Sequence, residues 1–103
     1  MKFYPLEYLH RLHDGYFRSF SVAGRSVLLL QSDGAVHIIA NRCPHMNSTL
    51  DRAHVEGDII RCPAHRFEYS LSTGLPARAA FAGGGRLERF RPSYEGNQIG
   101  IVL

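Results

Sequence analysis

Several features are scarce or missing in this sequence of 103 residues. It has no tryptophan, one lysine and two cysteines. The longest aliphatic run covers residues 27–30, far below the roughly 18 residues that span a bilayer, which excludes a membrane-spanning helix. Pro5, Glu7 and His10 interrupt the apolar stretch that a secretory signal needs behind its basic start. We therefore expect a cytoplasmic protein that does not bind membranes.

The length and the charge limit the organisation and the partners. A separate hydrophobic core normally needs about 100 residues, so a single domain is predicted over residues 1–103. The composition, 45% hydrophobic and 20% charged, is ordinary for a globular chain. The formal net charge of +3 comes from arginines that are spread along the chain without a basic run. We therefore expect a monomer with no nucleic-acid partner.

Turn signals recur between short apolar segments, a pattern typical of an all-β domain. The Asp33-Gly34 pair between two β-rich runs predicts a hairpin. The predicted strands cover residues 16–22, 25–31, 35–40, 59–61 and 66–70, followed by a last hairpin between 87–91 and 98–103. A run of three glycines at residues 83–85 is expected to separate segments. The spacing of Leu6, Leu9 and His13 predicts one or two helical turns near the amino terminus.

Each of the two cysteines lies close to a histidine. The motifs are Cys43-Pro44-His45 and Cys62-Pro63-Ala64-His65, with 16 residues between His45 and Cys62. One disulfide is conceivable, but without an export signal metal binding or redox chemistry is favoured. A single cysteine or histidine is usually a core or surface residue. Two matched pairs, each stiffened by a proline, indicate a metal site instead.

The mixed composition of each motif bears on the kind of metal centre. Structural zinc accepts two cysteines and two histidines, but its usual motifs place cysteine with cysteine and histidine with histidine. A mixed pair on each loop lets the cysteines converge on one metal and the histidines on a second. A zinc-bound structural module remains the alternative.

At these two motifs the sequence resembles the Rieske [2Fe–2S] family, in which two histidines replace two cysteines on one of the irons. Residues 42–74 resemble the family's motif, and residues from about 16 to 103 resemble its general layout. It implies an all-β Rieske-type fold with a strand-built base and a small cluster-binding subdomain spanning about residues 42–78. It also implies that Cys43 and Cys62 hold the inner iron of one [2Fe–2S] cluster, while His45 and His65 hold the outer iron.

Residues beside these ligands are expected to tune the cluster. Pro44 and Pro63 stiffen the loops and remove one backbone donor each. By the resemblance, the hydroxyl of Tyr69 is available to a cluster sulfur, whereas Phe67 stands where high-potential members carry a serine. Arg66 follows the last ligand directly, where the family usually has glycine.

Charged and apolar side chains near the cluster segment suggest how partners meet it. Five arginines lie in or beside the segment: Arg42, Arg52, Arg61, Arg66 and Arg78. They form either a solvated rim or a positive face for an acidic partner. The apolar centre of that face would consist of Met46, Ala64, Leu75 and Pro76.

The resemblance to Rieske ferredoxins implies an electron-transfer component and not an enzyme. No Gly-rich nucleotide-binding fingerprint follows a predicted strand, so the chain needs both an electron donor and an acceptor. The resemblance implies an NAD(P)H-linked flavoprotein reductase as donor and an oxygenase as acceptor. The alternative is a fixed small Rieske subunit of a larger reductase such as nitrite reductase.

Overall fold

The computed structural model describes residues 1–103 and contains ten strands and two short 3₁₀ helices. The strands are β1 Phe3–Tyr8, β2 Phe17–Val22, β3 Arg25–Ser32, β4 Ala35–Ala40, β5 His54–Glu56, β6 Ile59–Arg61, β7 Glu68–Ser70, β8 Arg89–Phe90, β9 Ser93–Glu95 and β10 Gln98–Val102. The 3₁₀ helices are Leu9–Arg11 and Ala79–Gly84. Neither helix has the length and hydrophobicity needed to cross a membrane. The predicted all-β class is confirmed.

The strands form three antiparallel sheets. The first has the order β1-β10-β9 and joins the two ends of the chain, and the second has the order β2-β3-β4-β8. The third, β5-β6-β7, is a small sheet within residues 54–70. The first two sheets form the base of the molecule. In the third, β5 and β6 lie between the two cysteine-containing loops along the chain, and β7 follows the second loop.

The aliphatic run in β3 is buried on both faces of the central sheet. Val27 and Leu29 pack into one core together with Ile99 from β10. Leu28 and Leu30 point the other way into a second core, which contains both cysteines. Burying such a side chain stabilises the fold by about 1.5–3 kcal/mol. This run therefore ties the base to the cysteine-containing region.

Two tight turns set the register of the central sheet. In the predicted hairpin between β3 and β4, Asp33 and Gly34 both have left-handed φ values, 51° and 78°. Ala23 and Gly24 repeat this geometry between β2 and β3, with φ values of 49° and 80°. Such turns match the twist of the strands that they join. The hairpin predicted at Asp33-Gly34 is confirmed.

The amino-terminal segment differs from its prediction. Of the one or two helical turns expected around Leu6, Leu9 and His13, the structure has a single 3₁₀ turn, Leu9–Arg11, and Leu6 belongs to the strand Phe3–Tyr8. Strand β1 pairs with β10 at the opposite end of the chain. The register shifts between Pro5 and Glu7, which accommodates a proline at the sheet edge. Pairing with a distant strand overrides the local helical spacing.

The carboxy-terminal hairpin is also assigned differently. Arg89–Phe90 pairs with β4 in the central sheet, and β10 forms its hairpin with Ser93–Glu95. Pro92 lies between the two segments and has no N–H for a sheet ladder, so one continuous strand is excluded. The glycine run at residues 83–85 ends the second 3₁₀ helix, and the strand predicted from residue 66 begins at Glu68.

Candidate metal centre

The two cysteine-containing loops have the same backbone geometry. Each begins at a cysteine whose N–H donates to the carbonyl five residues later and whose carbonyl accepts the N–H of the fourth residue. In the first loop these bonds are Cys43 N to Ser48 O, 2.7 Å, and Asn47 N to Cys43 O, 2.7 Å; in the second they are Cys62 N to Phe67 O, 2.8 Å, and Arg66 N to Cys62 O, 2.9 Å. Both loops therefore place a cysteine at the base and a histidine in the turn.

Both loops need a residue in the left-handed region at their fourth position after the cysteine. Asn47 and Arg66 occupy it, each with a φ of 59°. Asparagine visits this region readily, whereas it costs most other residues about 1–2 kcal/mol. The position of Arg66, directly after His65, is the one where the resemblance leads us to expect glycine. The second loop is therefore built with backbone strain beside the cysteine and histidine pair.

A buried asparagine joins the first loop to the base. The side-chain Nδ2 of Asn41 donates to Asp51 Oδ1 at 2.8 Å and to Ser26 Oγ at 3.1 Å. Its Oδ1 accepts the backbone N–H of Leu50 at 2.8 Å. Because three of its hydrogen-bonding positions are used, Asn41 holds the far end of the loop against β3. Asn41 was not among the residues predicted from the sequence to belong to the site.

The two cysteines lie side by side in the apolar interior. Cys43 and Cys62 are fully buried and are not joined by a disulfide. Burial raises the pKa of the Cys43 thiol, and the neighbouring Cys62 thiol raises it further. Leu50, Ile60 and Leu71 belong to the same core cluster. A metal between the two sulfurs would be shielded from water on this side.

The two histidines form a second pair. The ring centroids of His45 and His65 are 5.1 Å apart, and the rings meet at 77°. His65 is exposed and His45 is half-buried. His45 Nδ1 is buried and has no hydrogen-bond partner in the protein. An orphaned buried nitrogen is costly, and a metal ion bonded to it removes that cost.

Pairs of thiols and imidazoles are the donor set of a [2Fe–2S] cluster that has two cysteines on one iron and two histidines on the other. The structure brings Cys43 to Cys62 and His45 to His65, so the four predicted ligands are assembled two by two. The orphaned Nδ1 of His45 supplies a free donor atom. The residues present therefore fit such a cluster.

Tyr69 lies beside the cysteines, but its proton has another acceptor. Its hydroxyl is fully buried and donates to the carbonyl oxygen of Gly84 at 2.6 Å. Burial and the nearby Cys43 thiol raise the pKa of Tyr69. The sequence predicts that this hydroxyl is available to a cluster sulfur, and in the structure it holds the second 3₁₀ helix against the loops.

The prolines and Arg66 lie at the edge of the site. Pro44 is half-buried, and a Cβ at Gly85 would lie 3.2 Å from the Cβ of Pro44, so the two chain segments are in close contact. Pro63 and Arg66 are exposed. The glycine that follows the 3₁₀ helix Ala79–Gly84 therefore contacts the first loop, although it lies beyond the subdomain predicted at about residues 42–78.

The charged rim divides into paired and unpaired arginines. Arg61 and Arg78 both bind the buried carboxylate of Glu68, with N to O distances of 2.9 Å and 3.0 Å. The other three predicted arginines, Arg42, Arg52 and Arg66, are exposed and form no ion pair. Two large apolar side chains of the predicted apolar centre, Met46 and Leu75, are 57% and 47% exposed.

Comparison with known proteins gives the family. Residues 2–88 match the Rieske [2Fe-2S] domain family. Because this match covers most of the chain, the protein belongs to the Rieske [2Fe–2S] family, and its cofactor is a Rieske-type [2Fe–2S] cluster.

Two curated relatives illustrate where similar sequences occur. Apoptosis-inducing factor 3 of Mus musculus is 28% identical over 90 residues, which are 87% of this chain and 14% of that protein. The ferredoxin component of the naphthalene 1,2-dioxygenase system of Pseudomonas putida is 26% identical over 61 residues, 59% of each chain. The present chain therefore spans a small part of the first relative and less than two thirds of the second.

Solved structures show the same fold. The ferredoxin of carbazole 1,9a-dioxygenase from Nocardioides aromaticivorans IC177 matches with a TM-score of 0.82 at 22% identity, over 98% of this chain and 97% of that one. The terminal oxygenase of carbazole 1,9a-dioxygenase from Novosphingobium sp. KA1 matches with a TM-score of 0.80 at 25% identity, over 96% of this chain and 29% of that chain. The fold thus occurs both alone and within a larger chain.

Proposed function

We propose that this protein is a one-electron carrier in which Cys43 and Cys62 hold the inner iron of the cluster and His45 and His65 hold the outer iron. The observation that carries the proposal is the pairwise assembly of the donors, with the sulfurs together in the core and the half-buried and exposed imidazoles of His45 and His65 in contact with each other. When bound, such a cluster takes up and releases one electron at a time. The cluster-binding subdomain is proposed to span about residues 42–78.

The two sides of the site have different roles in this proposal. The buried cysteines exclude water from one side, and exposure to water is one of the factors that set a cluster's potential. The exposed imidazole of His65 lies at the surface, where a partner protein can approach it. In this proposal the chain holds the cluster, shields one side of it from water and presents the other side to partner proteins.

The proposed donor is an NAD(P)H-linked flavoprotein reductase and the proposed acceptor is an oxygenase. The names of relatives support the acceptor, since one curated relative is the ferredoxin component of a naphthalene dioxygenase system. One of the matching solved structures is a complex of oxygenase and ferredoxin of carbazole 1,9a-dioxygenase. We further propose that the carrier is a cytoplasmic monomer.

The contact surface of this carrier is proposed to be a positive docking face, defined as the exposed side chains of Arg42, Arg52 and Arg66 together with that of Met46. These arginines are free of ion pairs within the chain, unlike Arg61, which is bound to a buried carboxylate. Unpaired positive charge around an apolar centre favours a partner with an acidic surface, because complementary charges raise the rate of association.

The test uses the loaded protein with the reductase and oxygenase of a naphthalene dioxygenase system as probes. We expect one electron per chain from dithionite, and NADH-driven product formation that depends on the added chain. Raising the salt from about 50 to 500 mM is expected to slow transfer, since exposed charges are screened beyond about 10 Å at 0.1 M salt. Arg66→Glu is expected to slow it further, whereas Arg91→Glu, the same charge change outside the docking face, is not.

Three results would count against parts of this proposal. A loaded protein that accepts no electron contradicts the carrier role. Product formation that does not depend on the chain contradicts the oxygenase as acceptor. Equal effects of Arg66→Glu and Arg91→Glu contradict the docking face and leave the arginines as a solvated rim.

A fixed component of a larger reductase is the second candidate. Two relatives show that a similar domain occurs as a fixed part of a larger protein, because the matching region is 14% of the mouse protein and 29% of the Novosphingobium oxygenase chain. Size-exclusion chromatography of a native extract at low salt distinguishes the two functions. Elution near the chain's own mass of 11.6 kDa supports the mobile carrier. Elution only with a large partner supports the fixed subunit.

A further inference from the structure

Phe67 lies flat against one of the two imidazoles. The ring centroids of Phe67 and His45 are 3.8 Å apart, and the ring planes differ by 13°. The other imidazole, that of His65, forms no such stack; its one aromatic neighbour is His45, which it meets edge to face. One histidine therefore has a flat aromatic support and the other does not.

The Phe67 ring is itself held in place. Its second neighbour is Phe81 from the 3₁₀ helix Ala79–Gly84, with ring centroids 4.9 Å apart. The guanidinium carbon of Arg78 lies 5.9 Å from the Phe81 centroid, within the range of a cation–π contact. Arg78 Nε in turn binds the buried carboxylate of Glu68 at 3.0 Å. Successive side-chain contacts therefore connect the buried carboxylate of Glu68 to the imidazole of His45.

Gly84 allows these contacts to form. A Cβ at Gly84 would lie 2.6 Å from Cδ2 of Phe67 and 2.7 Å from the hydroxyl oxygen of Tyr69. Only a residue without a side chain lets the helix approach the ring this closely. The helix is fixed there by the bond from the Tyr69 hydroxyl to the Gly84 carbonyl. Phe67 is therefore confined between His45 on one side and the helix on the other.

We infer that Phe67 is a positioning residue for the imidazole of His45, and that it makes the two histidine ligands unequal. The inference rests on the proposed ligand set, in which His45 and His65 bind the same iron. The stack fixes the ring plane of His45 and limits access to it, whereas His65 stays open to solvent. A partner that reaches the cluster meets His65 first.

Residue-specific modification tests the inference. The oxidised, loaded protein is treated with diethyl pyrocarbonate at one pH, and modification of each histidine is followed by mass spectrometry. In the wild type His65 is expected to react faster than His45. Phe67→Ala is expected to raise the modification rate at His45 about 2- to 12-fold and to leave the rate at His65 unchanged. This range is the change in the population of unstacked His45 that corresponds to the free energy of one aromatic pair.

Three further variants separate positioning from general packing. Phe67→Tyr keeps the flat ring and should restore the wild-type rates. Phe67→Leu fills the space without a flat ring, and its modification rates should match those of Phe67→Ala. If the alanine variant does not bind the cluster, the leucine variant provides the same test. Val55→Ala removes a side chain of strand His54–Glu56 that packs on the same core, and should leave both rates unchanged.

Electron spin resonance of the reduced variants gives a second readout. The nitrogen couplings of the two histidines should differ in the wild type, and only one of them should change in Phe67→Leu. Equal modification rates in the loaded wild type, or an unchanged rate and unchanged couplings in Phe67→Leu, would overturn the inference. Iron and sulfide analysis of the same samples distinguishes failure of the Phe67 inference from failure of the proposed function. A wild type without iron and sulfide contradicts the proposed function and not the role of Phe67.

Discussion

Substitution of two adjacent glycines offers a sharp test of the contact between the second 3₁₀ helix and the aromatic side chains beneath it. Gly83 and Gly84 lie in the same helix, and neither has a left-handed φ. A Cβ at Gly83 would meet no atom within 4 Å, whereas a Cβ at Gly84 would lie 2.6 Å from the ring of Phe67. The two alanine variants therefore differ only in what the new methyl group touches.

The size of the effect follows from these contacts. Forcing an extra methyl group into a packed site costs about 1–3 kcal/mol, and displacement of Tyr69 weakens its bond to the Gly84 carbonyl as well. We therefore expect Gly84→Ala to lower the free energy of unfolding by about 1–3 kcal/mol. Gly83→Ala is expected to be neutral or to raise it by up to about 1 kcal/mol, because alanine has less freedom in the unfolded chain.

Thermal unfolding followed by circular dichroism measures both variants beside the wild type at equal iron content. For a domain of this size 1 kcal/mol shifts Tm by roughly 4–8 °C, so the Gly84→Ala variant should melt at least about 4 °C lower. Equal melting temperatures for the two alanine variants would refute the close approach of the helix to Phe67 and Tyr69.

Three more predictions concern the loops and the buried polar groups. Arg66→Gly should raise the free energy of unfolding by about 0.5–1 kcal/mol, since it removes an arginine from the left-handed region but adds freedom to the unfolded chain. Asn47→Gly should raise this free energy by less, because asparagine visits the left-handed region readily. Urea denaturation compares the two variants, and an equal gain would contradict the strain at Arg66. The Tyr16 hydroxyl donates to Glu7 Oε2 at 2.7 Å, and burial together with this bond raises the pKa of Tyr16 to about 12. The folded state therefore keeps a proton that the unfolded state loses above the ordinary tyrosine pKa of 10.0. Stability should fall as the pH rises from 10.0 toward about 12, and Tyr16→Phe should flatten that part of the profile. Tyr69→Phe leaves the buried carbonyl of Gly84 without its donor and should cost about 1–3 kcal/mol in urea denaturation; an unchanged midpoint would mean that this hydrogen bond is not formed in solution.

The features of the fold that were predicted correctly depend on neighbouring residues. The Asp33-Gly34 hairpin follows from two residues that adopt left-handed φ values and from the β-rich runs on either side. The errors occur where a distant partner decides. Strand Phe3–Tyr8 exists because it pairs with Gln98–Val102 at the other end of the chain, and no local pattern reports that pairing.

The candidate site divides in the same way. The four proposed ligands could be recognised because two short motifs carry a cysteine and a histidine each, and the structure brings the like residues together. The support of His45 by Phe67 and Phe81 could not be recognised, because it depends on how the helix Ala79–Gly84 packs across the loops. The run of three glycines at residues 83–85 was the one sign of a close approach between chain segments, although from the sequence we expected it only to separate segments.

The central claim is that the two histidines in the loops bind the iron of the cluster. Electron spin resonance of the dithionite-reduced protein tests it in the wild type, in His45→Ala and in His65→Ala, with His54→Ala as a control because His54 is an exposed histidine of strand His54–Glu56. The wild type and the control should contain about two irons and two sulfides per chain and give the same Rieske-type signal, and each ligand variant should lose or grossly change it. An unchanged signal in both His45→Ala and His65→Ala would contradict the assignment.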